Sequence, residues 1–203
     1  MRFARLVIPS LLLLSTTLCS SAAAQKRTYE SRADRLCAFD EPRTSLEEFE
    51  SRMDTVLVRG SANIGTFNPR SGTVHVDALE YRDTSHGART TGIAIRLSDG
   101  SHPVESRSLI DYDQIDEVVK KIDQVAAADS TGTKLQHFEA RFRTRGDLEI
   151  AVFRQTNGGA IAARVTGGAC EVTTLQLTLE ELSKLRWMIV QAKARLDEIK
   201  GGQ

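Results

Sequence analysis

The sequence predicts an α+β fold made of two tandem ββββα units, each a four-stranded antiparallel meander with a C-terminal helix packed on its sheet. Three observations carry this. Ile93-Ala94-Ile95-Arg96-Leu97-Ser98 returns 68 positions later as Ile161-Ala162-Ala163-Arg164-Val165-Thr166. Four positions are identical or exchange Ser for Thr, and the other two are apolar in both. A second pair, residues 109–115 and 176–182, follows in the same order at an offset of 67, as one supersecondary unit used twice requires. Each copy also passes from period-two alternation into an apolar stripe at helical spacing.

The chain begins with a stretch that reads as a secretory signal. Arg2 and Arg5 form a short basic region, residues 6–18 are apolar apart from Pro9 and a few hydroxyls, and Ala22-Ala23-Ala24 offers small residues for cleavage. The apolar run is shorter than the roughly 20 residues a spanning helix needs. Residues 1–24 are therefore expected to be removed, sending the remainder to the periplasm or the extracellular space. No later segment is apolar enough to cross a membrane.

Cleavage would leave 25 bases against 27 acids. So balanced a chain has no overall field to attract nucleic acid or an acidic membrane. Cys37 and Cys170 remain, and export makes their pairing a candidate disulfide. In the chain-entropy account so long a loop would contribute roughly 4–5 kcal/mol. Two buried free thiols are the alternative.

Residues 25–53 form an N-terminal segment. Its charged first part lacks a period; residues 44–53 read as a short helix with Thr44 and Glu47 as a capping box and Leu46, Phe49 and Met53 facing inward. The first unit spans residues 54–128, with strands at 55–60, 73–81, 90–97 and 103–110. Asp111 and Gln114 are the candidate capping box of its helix, and Ile115, Val118, Ile122 and Val125 form the buried stripe. The second unit spans residues 134–203, the two units sharing one compact domain. Phe138, Ala140 and Phe142 alternate with charged neighbours; Leu148, Ile150 and Val152 alternate again; Asn157-Gly158-Gly159 marks a tight hairpin; residues 170–177 make the fourth strand. Thr178 and Glu181 form a capping box, and the stripe of Leu182, Leu185, Ile189, Ala192, Leu196 and Ile199 runs toward Gly201-Gly202.

This element order is similar in outline to the tandem ββββα proteins of the Pur-alpha and Whirly type, a likeness that implies single-stranded nucleic-acid binding. It is also comparable to exported repeat inhibitors such as β-lactamase inhibitory protein, where the helices precede the strands. Both likenesses concern element order, carry over no site residues, and leave function open.

No motif for catalysis, a cofactor or a metal stands out. His75, His86, His102 and His137 are scattered without ligand spacing, and no Ser nucleophile elbow is present. Asp111, Asp113 and Asp116 sit where a helix start already accounts for acids. Lys134, His137, Arg141, Arg143 and Arg145 share or border one strand face, but Phe138 and Phe142 point the other way and Asp147 and Glu149 are placed to neutralise them. Arg145-Gly146-Asp147 spells an integrin tripeptide at a turn, where turn chemistry already accounts for Gly and Asp.

Trp187 differs. At 100° per residue it falls opposite the buried stripe of the last helix, with Val190 and Ala194 beside it. Its counterpart in the first copy is Lys120. Such a strip invites cover, either by the chain's own segment around Leu36 and Phe39, by a second copy, or by a partner protein. The first reading of function is thus an exported, non-catalytic protein-binding or accessory module without a cofactor. Polyanion or single-stranded nucleic-acid binding, and an enzyme with a site between the units, are the alternatives.

Overall fold

The computed structural model describes residues 41–100, 105–134, 137–155 and 159–201. The leader-like residues 1–24, Cys37, Leu36, Phe39, His102 and the Asn157-Gly158 turn lie outside the described residues.

Helix α1 (Ser45–Glu50) precedes strands β1 (Leu57–Phe67), β2 (Thr73–Asp83), β3 (Arg89–Ser98) and β4 (Ser106–Asp111). Helix α2 (Ile115–Ala126) follows. Strands β5 (Glu139–Arg143), β6 (Glu149–Arg154), β7 (Ile161–Gly167) and β8 (Thr173–Leu177) then lead into helix α3 (Leu179–Gly201). Each group of four strands is an antiparallel meander in sequence order. The α+β class and the sheet-then-helix order expected from the repeat are therefore present, and the two matched hexapeptides fall on β3 and β7.

Alternation decides which face of each strand is buried. Val74, Val76 and Ala78 of β2, Ile93, Ile95 and Leu97 of β3, and Ile110 of β4 point into one cluster. Ile150 and Val152 of β6, Ala163 and Val165 of β7, and Leu175 and Leu177 of β8 join the same cluster, together with the stripes of α2 and α3. Both sheets thus close on one core. They meet where β3 and β4 approach β7 and β8. Gly167 permits this closeness, since a Cβ there would stand 2.9 Å from Ser108 Oγ and 3.0 Å from Leu97 Cδ1. The buried Ser108 hydroxyl donates to the Asp147 carbonyl at 3.0 Å and accepts from the Gly168 amide at 3.0 Å, so the junction leaves that polar group satisfied.

The helices are placed differently from the expectation that each packs on its own sheet. Helix α2 lies on β5 and β6 of the second sheet. Helix α3 lies mainly on β1, β2 and β3 of the first, also touching β7 and β8. An apolar stripe needs apolar cover but does not specify whose. With a single joint core, each helix crosses to the other unit's strands.

A second, smaller cluster occupies the opposite face of the first sheet. Leu46 and Phe49 of α1 cover Leu79, Tyr81, Ala94 and Leu109. The capping box of α1 forms as the sequence indicates: Thr44 Oγ1 accepts from the Glu47 amide at 3.1 Å, and the Glu47 carboxylate accepts from the Thr44 amide at 3.1 Å. The Tyr81 hydroxyl donates to Glu50, and burial together with that bond pushes its pKa up to about 12.

Three local expectations are corrected. Asp111 does not cap α2. Its carboxylate accepts from the amides of Ser45 and Leu46 at 2.9 and 3.1 Å, fastening α1 to the sheet. Gln114 makes no capping hydrogen bond either, because a short 3-10 turn, Tyr112–Gln114, intervenes. Met53 is exposed rather than buried, since α1 ends at Glu50. Finally, β1 continues well past Gly60 to Phe67, with a bulge between Asn63 and Gly65; its small and polar residues conceal the strand from a pattern of apolar alternation.

Candidate functional site

The described part of α3 begins with the capping box read from the sequence. Thr178 Oγ1 accepts from the Glu181 amide at 3.1 Å, and the Glu181 carboxylate accepts from the Thr178 amide at 2.8 Å. This holds the first turn in register and hence the azimuth of every later residue.

The rotation of α3 is fixed on three sides. Leu182, Leu185, Met188, Ile189, Ala192 and Leu196 are buried against the core. Along one flank, Arg186 forks onto Asp123 of α2 at 2.5 and 2.8 Å, holding that carboxyl below the usual range. Lys193 lies 3.7 Å from Asp116 on the same helix. Along the other flank, Met188 packs over Gly65, where a Cβ would stand 2.9 Å from the Met188 methyl. Lys184 sits 5.4 Å from the Phe67 ring centre.

Trp187 is left pointing away from all three. It is 56% exposed, Val190 is 36% exposed, and Ala194 is also exposed. The three residues named from the sequence therefore form an outward strip. Leu179, 39% exposed and two turns before Trp187, extends it. The sequence reading began its helical pattern at Leu182 and missed Leu179, although the i, i+8 spacing was available.

Other candidate residues find structural partners. Arg143 reaches Asp147, and Arg145 meets Asp113 at 3.2 Å. Glu139 takes Arg164 at 3.0 Å. The basic stripe is thus interleaved with acids, as opposed pairs on a sheet face require. Asp147 is buried and also bound by Arg43 at 2.6 Å, so the Arg145-Gly146-Asp147 turn presents no exposed carboxylate. The side chain of His86 is 71% exposed on its hairpin, with Nδ1 2.9 Å from the Asp83 carboxylate. Among the described residues no group of three His, Cys, Asp or Glu side chains is placed to hold a metal ion, and no helix is long and apolar enough to cross a membrane.

Cys170 is exposed at the turn before β8 and is not a free thiol. It lines a hollow of about 410 Å3 with Glu41, Arg43, Glu50 and Arg107, on the α1 side of the first sheet.

A cluster of hydrogen bonds around Asp83 carries no sequence motif. The buried Asp83 carboxylate accepts from the Thr55 hydroxyl at 2.6 Å, from Arg52 at 3.1 Å, and from the amides of Ser85 and His86 at 2.9 and 3.1 Å. The Thr55 bond, with those from His86 and Ser85, holds its pKa well below the usual carboxylate range. This ties the α1–β1 connection to the β2–β3 hairpin. A depressed folded pKa contributes stability above the ordinary carboxylate pKa of about 4, lost as pH falls toward the folded value. Asp83→Asn is therefore expected to lower Tm most at pH 7, the gap to wild type shrinking toward pH 3. Melting curves across that range check this, and a gap independent of pH would contradict it.

No protein-family profile matches the chain and no curated protein sequence matches it, so the α3 strip is read from its own residues.

Proposed function

We propose that this is an exported, non-catalytic accessory protein that binds another protein through the α3 strip of Leu179, Trp187, Val190 and Ala194. The observation that carries the reading is the orientation of Trp187, held outward by a helix anchored on three sides. An indole on a rigid helix offers a large contact area at small entropic cost, the usual property of an interface anchor.

We further infer that Cys37 pairs with Cys170. Cys37 and Cys19 are the only other cysteines, and Cys19 belongs to the segment read as a signal. Glu41 lies beside Cys170 on the α1 side of the first sheet, whereas α3 packs on its core side, so such a bond is compatible with a Trp187 strip open to another protein.

Immobilised mature chain, residues 25–203, and its Trp187→Ala variant provide the test. The variant is expected to keep the wild-type Tm within about 2 °C, because exposed substitutions change stability by no more than about 0.5 kcal/mol. It is also expected to lose a protein that wild type retains from the exported fraction. Identical retained sets would sink the reading, and a large fall in Tm would place Trp187 in the chain's own core.

A further inference from the structure

The two sheets have four edges, and three are closed. At β4 the Leu109 amide donates to the Gly146 carbonyl at 3.3 Å. At β8 the Gln176 amide donates to Ser71 Oγ at 2.9 Å, and the Ser71 hydroxyl donates back to the Gln176 carbonyl at 3.1 Å. The β5 edge is short, and Glu139, Arg141 and Arg143 stand exposed along it. Each is a recognised way of preventing a sheet from adding a strand.

The β1 edge has none of these protections before its bulge. It runs for 11 residues, carries one charge, Arg59, and is exposed from Val58 to Ser61. Among the described residues nothing pairs with its outer side; β2 is its one neighbour. The regular stretch ends at the bulge between Asn63 and Gly65, leaving residues 57–63 as an open ladder. Val56 and Val58, 63% and 50% exposed, adjoin it.

We infer that β1 is the seam of a homodimer, pairing antiparallel with β1 of a second copy to join two four-stranded sheets into one of eight strands. The stretch is complementary to itself. Centred on Gly60, it sets Arg59 opposite Ser61, Val58 opposite Ala62 and Leu57 opposite Asn63 of the second copy. The two arginines are then diagonal neighbours rather than directly opposed, and direct opposition is the arrangement in which like charges are penalised most. Gly60, Ser61 and Ala62 bring little bulk to the centre. A two-fold axis midway between the two Gly60 residues makes the contact closed, as a homodimer requires. The chain's own residues 25–40 are the competing occupant, and pairing within one chain would protect the amides of this stretch in a monomer.

The register makes Ser61 diagnostic. Ser61→Lys would place a cation opposite Arg59 in both symmetric rows, and Ser61→Glu would place an anion there. Sedimentation equilibrium of the mature chain is expected to show a dimer, its Kd raised roughly tenfold by Ser61→Lys and lowered roughly tenfold by Ser61→Glu. Hydrogen exchange should show the outward-facing amides within residues 57–63 protected at high concentration and released on dilution. Ser61 is exposed, so both variants should melt with wild type when monomeric. A wild-type monomer at millimolar concentration would overturn the inference, whether or not those amides are protected. So would a dimer indifferent to both Ser61 variants, or one dispersed by Trp187→Ala, which would put the contact on α3.

Discussion

Residues 41–134 produced without residues 137–201 are expected to remain unfolded, and so are the second-half residues alone. Each half contains a complete ββββα unit by sequence, yet α2 covers strands of the second half and α3 lies mainly on strands of the first. In the first half, the inner residues of β1, β2 and β3 would lose α3. In the second, β5 and β6 would lose α2. Apolar burial is the main favourable term offsetting the entropy of ordering a chain, and each half forfeits a large share of it. Mixing the halves should restore helix content and a cooperative urea transition, since the missing surfaces complement each other. Circular dichroism on each half and on the mixture measures this. A half that folds cooperatively by itself would show that its own helix can return to its own sheet.

Leu196→Ala is expected to cost about 2–5 kcal/mol, the range for removing a fully buried leucine. Leu196 has no exposed surface and lines a hollow of about 190 Å3 with Gly60, Ala62, Ala78 and Glu80. The side chain therefore bears on the first sheet, although it lies near the end of the second unit. The consequence is specific. Amide protection should fall first in β1 and β2, more than 100 residues away in sequence, with β5 and β6 less affected. Chemical denaturation gives the magnitude, and native-state hydrogen exchange gives the location. Protection lost first in β7 and β8 would mean that the helix draws its cover from its own unit.

Several elements were legible in the sequence because their causes are local. The capping boxes at Thr44 and Thr178 form within one turn of chain. Strand faces follow from alternation, so Ile93, Ile95 and Leu97 and their counterparts Ala163 and Val165 turn inward. The outward face of α3 follows from helical spacing alone, which is how Trp187, Val190 and Ala194 were found before any contact was known.

Other residues misled for an equally physical reason. Asp111 has the composition and position of a helix cap, but two amides of α1, some 65 residues earlier, compete for the same carboxylate. Asp83 carries no local motif, and its donors come from the α1–β1 connection and from the β2–β3 hairpin, which only the folded chain brings together. Strand β1 was cut short at Gly60 because glycine, serine and alanine lack the apolar signal that marks a buried face.

The sequence by itself determined the class of the fold, the order of its elements, which face of each is apolar, and the helix side on which Trp187 lies. These depend on backbone geometry and on neighbours within a few residues. Tertiary structure alone decided that the helices cross to the opposite sheets, that the sheets meet through Ser108 and Gly167, and that three strand edges are closed while β1 has no outer neighbour among the described residues. An apolar stripe or an unpaired amide specifies the chemistry of its partner but not its address. That address is set by how the whole chain closes its single core.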